Sequence, residues 1–227
     1  MGQGTGCDTA QAGRGRYGFV AVDLVHPEAG IIELAADLLS SGEALVFPTD
    51  TVYGIGVAVA DGAAPDLLFE IKRRDRSKAI PWLVPDAGCL EGYGRNVRRY
   101  CFDMVGELWP GPLTLVVEAG DAVPRSFCGA GQTIALRMPD SPVALAIMHE
   151  IGSPLATTSA NVSGCDAIND PSLLDPRIAG LVPMVLDGGT IAGGCPSTVV
   201  SCIGPVPEVL REGSISAEQV MGFARGA

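Results

Sequence analysis

The 227-residue chain predicts one α/β or α+β domain built on a substantial twisted sheet. Three observations carry that reading. Short apolar runs bounded by Gly and Pro outnumber helical patterns, and the two kinds are mixed from Phe19 onward. Hydrophobic residues make up 47% of the chain and charged residues 18%, which is core-forming material and not the composition of a disordered chain. No Pro/Ser-rich linker divides the sequence, and no repeat at solenoid periods is present.

The elements follow in order. Residues 1–17 are Gly-rich and read as a disordered leader, ahead of a domain over residues 18–227. Phe19 to Val22 is a short strand. Glu28 to Ser41 is a helix with Ile31, Ile32, Leu34, Ala35, Leu38 and Leu39 inward, stopped by Gly42. Ala44 to Phe47 is a buried strand ended by Pro48. Pro65 to Arg74 is a helix opened by its proline. Ile80 to Val84 is a strand that Pro81 assigns to an edge or a bulge. Asn96 is placed to cap a helix running to Leu108, which Trp109-Pro110-Gly111-Pro112 terminates. Strands follow at Leu113 to Glu118 and Thr133 to Met138, then a helix from Asp140 to Glu150. Leu155 to Thr158, Val182 to Asp187, Thr198 to Cys202 and Glu208 to Leu210 are further strands. Ser216 to Gln219 is a capping box that opens the last helix.

A formal charge of −11 argues against broad, sequence-independent nucleic-acid binding, which rests on many phosphate contacts. The cations are unevenly spread: five of the 15 Lys and Arg fall in Lys72-Arg73-Arg74-Asp75-Arg76-Ser77-Lys78. Upstream lies the hydroxyl-rich turn Pro48-Thr49-Asp50-Thr51-Val52-Tyr53-Gly54. Each segment has a bland reading, a solvated helix end and a self-satisfied turn. Together they predict a site for a compact anion, phosphate or carboxylate. Seven cysteines without a zinc spacing or C-x-x-C pair read as reduced thiols. With no secretory signal and no apolar run of ~18 residues, the expected location is cytoplasmic, without a membrane.

The common nucleotide signatures fail. The dipeptide Gly-Lys does not occur, so there is no Walker loop, and Gly13 to Gly18 matches G-x-G-x-x-G only in letters because it precedes a strand. Two histidines and no nucleophile elbow leave no triad. Thr157-Thr158-Ser159-Ala160-Asn161-Val162-Ser163-Gly164 ends an apolar strand with small hydroxyl and amide groups, suited either to a ligand or to a hydrogen-bonded turn. Arg137, embedded in an apolar strand, needs a partner, either a ligand carboxylate or a structural Asp.

Taken in series, these segments resemble the YrdC-like family. The resemblance runs from about residue 28 to residue 220, through Pro48 to Gly56, Lys72-x-Arg74, Trp109 to Thr114, Leu136 to Pro139, Ser159 to Gly164, Asp187 to Gly189, Ser197 to Val200 and Leu210 to Gly213. It implies a mixed α/β sheet flanked by helices, with a deep, positively charged cavity. It also implies synthesis of threonylcarbamoyl-adenylate and pyrophosphate from L-threonine, bicarbonate and ATP, with Mg2+ arriving on ATP and no protein-ligated metal. A tRNA contact and downstream threonylcarbamoyl-transferase partners are implied as well. Residue by residue, Lys72 and Arg74 would be catalytic and bind the nucleotide's phosphates. Ser159, Asn161 and Arg211 would hold the nucleotide, and Thr49, Arg137 and Ser197 would bind threonine.

The chain resembles the short members, which lack a second domain. It departs from the family pattern at Asp75, where many relatives have Pro, and at Pro196, where relatives often have Glu. Two other readings share the fold: a carbamoyl-adenylate-forming enzyme that uses carbamoyl phosphate, and a non-catalytic RNA-binding paralogue.

Overall fold

Alternation of side chains along each strand sorts the apolar residues into two clusters, one on each face of a single mixed sheet. The computed structural model describes residues 18–59, 65–72 and 80–226. The leader and the run Arg73 to Lys78, with Arg74 and Asp75, lie outside them.

The first half of the chain forms β1 (Gly18–Ala21), α1 (Ala29–Ser40), β2 (Leu45–Phe47), β3 (Gly54–Ala58), α2 (Asp66–Lys72), β4 (Trp82–Leu83), α3 (Cys89–Tyr93), β5 (Gly94–Arg95) and α4 (Arg99–Leu108). The second half forms β6 (Leu113–Ala119), β7 (Thr133–Arg137), α5 (Pro142–Ile151), β8 (Leu155–Ser159), α6 (Pro176–Ala179), β9 (Met184–Asp187), β10 (Thr198–Ser201), β11 (Glu208–Arg211) and α7 (Ala217–Gly222). The strand order is β1-β9-β2-β3-β8-β4-β7-β6-β10-β11, and β5 pairs with β6. Parallel and antiparallel neighbours are interspersed, as a mixed sheet requires. No helix among the described residues is long and apolar enough to cross a membrane.

Local chemistry sets the helix ends. Gly42 takes a left-handed φ of 86°, and the Gly42 and Glu43 amides donate back to Leu39 O and Leu38 O, a Schellman closure of α1. Ser141 caps α5 by accepting from the Ala144 amide at 3.3 Å, with Pro142 following and Gly152 left-handed at the far end. The capping box at Ser216 and Gln219 is formed.

Two expectations are corrected, and four elements not read from the sequence appear. Asn96 does not cap α4: it sits at φ 53° and donates to Glu118 at 2.8 Å, while Arg98 occupies the cap position. β4 is interior, between β8 and β7. Pro81 lies just before its two paired residues and keeps only an accepting carbonyl, bonded to the Thr157 amide at 2.8 Å. Gly54 to Ala58, of which the sequence reading assigned only Gly54, to the end of a turn, is a central strand. Its glycines masked the apolar alternation. The short α3, β5 and α6 had no periodic signal because each is under two turns long or a two-residue strand.

One face of the sheet buries Val46, Ile55, Trp82, Leu115, Leu136 and Val185 with residues of α2, α4 and α7. Trp82 is wholly buried, with the rings of Tyr93 and Phe127 edge-on at 5.2 and 5.3 Å. On the opposite face, α1 and α5 bury Leu45, Phe47, Ala58, Leu155, Met184 and Leu186. Burial of each large side chain contributes about 1.5–3 kcal/mol. The two helices cover only the β1 to β8 part of that face.

Candidate functional site

Beyond the cover of α1 and α5, the same face opens into a cavity of about 350 Å³. Its floor follows from strand alternation. Thr157 and Ser159 lie two and four residues along β8 from the buried Leu155. Thr114 and Val116 come from β6, Ala135 and Arg137 from β7, and Val199 from β10. Thr49 and Thr51 close one side. Pro196, Ser197 and Arg211 close the other. A volume in this range suits a small-molecule site.

The turn after β2 is fixed by its own hydroxyls. Thr49 Oγ1 donates to Val52 O at 2.7 Å and accepts from the Thr51 and Val52 amides. The backbone demand read into the sequence is therefore met, while Thr49 still lines the cavity. Gly193 packs directly on the Thr51 and Asp50 carbonyls, where no Cβ fits, and the Gly194 amide donates to Thr51 O at 2.6 Å.

Arg137 is nearly fully buried and well paired. Its Nε donates to Gly111 O at 3.0 Å, and its other nitrogens to Thr51 Oγ1 at 2.9 Å and Asp50 at 2.5 Å. Burial pulls the guanidinium below its ordinary pKa, and the Asp50 charge opposes that shift. The structural carboxylate is thus Asp50, from the same motif. Three of the five guanidinium N–H groups are engaged in these contacts, and Arg137 also lines the cavity. Arg211 differs. It donates through Nε and a terminal nitrogen to Ser197 O at 3.2 and 2.8 Å, and to Ser197 Oγ at 3.3 Å. Partial burial lowers its pKa, and no described carboxylate forms an ion pair with it.

Lys72, at the end of α2, is 5% exposed. Its ammonium meets Ser159 O at 2.6 Å, Asn161 Oδ1 at 3.1 Å, and the Asn161 carbonyl. Asn161 Oδ1 also accepts from the Ser159 hydroxyl, and its amide nitrogen donates to Val162 O and Cys165 O at 3.1 and 2.5 Å. Asn161 therefore ties Lys72 to the end of β8 and uses its amide within the protein. Ser163 completes the tie by donating to Lys72 O at 2.7 Å. The structure brings Thr49, Arg137, Ser159, Ser197 and Arg211 around one cavity, and bonds Lys72 and Asn161 to Ser159 although neither of them lines it.

Sequence reading missed Asp50 as the Arg137 partner and Thr114, whose Oγ1 lies 2.8 Å from Ser197 Oγ. The available signal for Thr114 was a lone hydroxyl alternating with the apolar Leu113 and Leu115. Pro196 lines the cavity, and its carbonyl accepts from the Ser214 amide at 3.3 Å.

Comparison with known proteins places these residues in a family. The Sua5_yciO_yrdC family model, described as telomere recombination, matches residues 37–213. A Bacillus subtilis protein named threonylcarbamoyl-AMP synthase is 37% identical over 194 residues, 83% of this chain and 55% of that protein. A Mycobacterium tuberculosis relative, provisionally named for the same activity, is 34% identical over 87% of this chain and 92% of its own length. The chain thus spans about half the length of the first relative and nearly all of the second.

Among solved structures, Pyrococcus abyssi Sua5 complexed with L-threonine superimposes with a TM-score of 0.85 at 30% identity, covering 90% of this chain and 60% of that one. Escherichia coli YciO superimposes at 0.82 with 25% identity, covering 89% and 98%. From the family match over most of the folded chain and from these identities, the chain belongs to the Sua5/YciO/YrdC family.

Proposed function

We propose that this chain is a threonylcarbamoyl-AMP synthase, forming threonylcarbamoyl-adenylate and pyrophosphate from L-threonine, bicarbonate and ATP. One observation carries the reading. A single cavity gathers a hydroxyl-rich floor and two guanidinium groups, and Ser159 on its wall is bonded through its carbonyl to the buried Lys72 ammonium. It does so in a chain 37% identical to a protein named for that activity.

The chemistry requires two bond-forming steps. The threonine amine attacks the carbonate carbon and water leaves, giving a carbamate. A carbamate oxygen then attacks the α-phosphorus, and pyrophosphate departs with the electrons of the broken P–O bond. Neither step calls for a covalent intermediate with the protein. The protein's part is positioning and charge neutralisation.

In this reading Arg137, pre-oriented by Asp50, Thr51 and Gly111, offers its remaining N–H groups to the threonine carboxylate, with Thr49 and Ser197 beside it. Lys72, held by Ser159 and Asn161, supplies positive charge next to the phosphates, with Arg74 and Arg211. These cations would make the cavity positively charged within an acidic protein. Mg2+ belongs to the MgATP substrate. The product would pass to a threonylcarbamoyl-transferase acting on tRNA, in the cytoplasm.

The test is pyrophosphate release from ATP and bicarbonate with and without L-threonine, using serine and carbamoyl phosphate as comparators. Threonine-dependent release is expected. Lys72→Ala should lose at least about a hundredfold in rate, the scale of one removed charge-stabilising contact, with an unchanged circular dichroism spectrum. Release driven by carbamoyl phosphate, or salt-dependent tRNA binding without turnover, would replace this reading with one of the two alternatives.

A further inference from the structure

The hydroxyl pair Thr114–Ser197 holds one proton more than the protein uses. Thr114 and Ser197 are both buried on the cavity wall, 2% and 7% exposed, with their oxygens 2.8 Å apart. That contact consumes one hydroxyl proton of the two. Arg211, which can only donate, also points a nitrogen at Ser197 Oγ at 3.3 Å. No other described partner is present for either hydroxyl. Ser197 is the less buried of the two, so the free proton belongs to it when Thr114 donates inward. Ser197 Oγ then accepts twice, from Thr114 and from Arg211, and its own O–H is left to donate into the cavity.

The backbone makes this arrangement specific. β6 and β10 run parallel with Thr114 opposite Val199, which puts Ser197 two residues back on the same face. The Thr198 amide is pinned to Pro112 O at 2.9 Å, and the Thr198 hydroxyl is spent on Ile215 O at 2.6 Å. Ser197 is therefore held in place through its neighbour Thr198, while its hydroxyl rotor is governed by Thr114. An oriented O–H beside a guanidinium is a receptor for an anionic oxygen.

We propose that Thr114 is a positioning residue: it fixes the Ser197 hydroxyl as a donor to an anionic oxygen of the ligand. Resting on the synthase reading, that oxygen belongs to the amino-acid carboxylate, not to the nucleotide. Thr114 acts through Ser197.

The experiment compares wild type, Thr114→Val and Thr114→Ser. Valine keeps the branched shape and the strand preference but removes the hydroxyl, and serine restores it. Thr114→Val should raise the KM for L-threonine about five- to tenfold, with kcat and the KM for ATP within about twofold, and Thr114→Ser should return the threonine KM to near wild type. Melting temperatures identify a variant that is merely loosened. Equal rises in both KM values, a change confined to kcat or to the ATP KM, no change at all, or no rescue by serine overturns the proposal. If the wild type itself releases no threonine-dependent pyrophosphate, the synthase reading has failed. Calorimetric titration of inorganic phosphate into the same three proteins then decides the role of Thr114. Weaker binding by Thr114→Val with recovery in Thr114→Ser upholds it. Equal affinity, or no binding to any of them, overturns it.

Discussion

Two halves of one sheet face have the same backbone and opposite chemistry. Over β9, β2 and the far ends of β3 and β8, the outward positions are Met184, Leu186, Leu45, Phe47, Ala58 and Leu155, covered by α1 and α5. Over the end of β8 and over β4, β7, β6 and β10 the corresponding positions include Thr157, Ser159, Arg137 and Thr114, and they line an open cavity. β8 crosses the boundary within five residues, from Leu155 through Thr157 to Ser159. The covered half gains stability by excluding water. In the open half, polar groups are satisfied by one another, and part of their bonding capacity is left for a ligand. A helix packed over the open half would bury Ser159 and Arg211, which are still partly accessible, at a large desolvation cost.

The boundary itself depends on two glycines. Gly54 pairs with Ser159 and Gly56 with Thr157. A Cβ at Gly56 would stand 2.9 Å from Thr157 Oγ1 and 3.0 Å from the Phe47 ring. The apolar ring of the covered half and the hydroxyl of the open half thus meet across a backbone too close for any side chain.

Three substitutions can break or sharpen this contrast. The largest effect is expected in the covered half. Phe47→Ala empties a fully buried ring site and should cost about 3–5 kcal/mol in urea denaturation, while the fraction still folded keeps wild-type ligand affinity. In the open half, Asp50→Ala strands the buried Arg137 charge. It should cost about 3 kcal/mol, and ligand binding should be altered even in the folded fraction. Equal effects of the two changes on ligand affinity would show that the halves are not functionally separate. At the seam, Gly56→Ala should cost about 1–3 kcal/mol by overpacking, visible as a lower melting temperature. An unchanged melting temperature would mean that Thr157 and Phe47 yield freely and that the seam is not tightly packed.

Much of the fold was legible in local patterns. Short apolar runs marked β2, β6, β7 and β9, and the caps of α1, α5 and α7 were readable from Gly42, Pro142 with Gly152, and Ser216 with Gln219. β3 was not legible. Glycines occupy the positions where alternation would have appeared, and their reason lies across the sheet in Thr157 and Phe47. The interior position of β4 was also hidden, because a Pro argues for an edge unless it lies just outside the paired residues, as Pro81 does. For the site, residue types were readable but partnerships were not. The same Arg137 was compatible with a ligand carboxylate or a structural one, and only the fold brings Asp50 to it.

By itself the sequence determined the fold class, the acidic balance with its single cation cluster, and the set of motifs that carry the family resemblance. Each of these rests on composition, periodicity or short-range order. Tertiary structure alone decided that Thr49, Thr114, Arg137, Ser159, Ser197 and Arg211 share one cavity, that Lys72 is locked to Asn161, and that Asp50 neutralises Arg137. The physical reason is register. Hydrogen-bonded strand pairing between residues 85 to 166 positions apart determines which side chains face one another, and no local pattern encodes that distance.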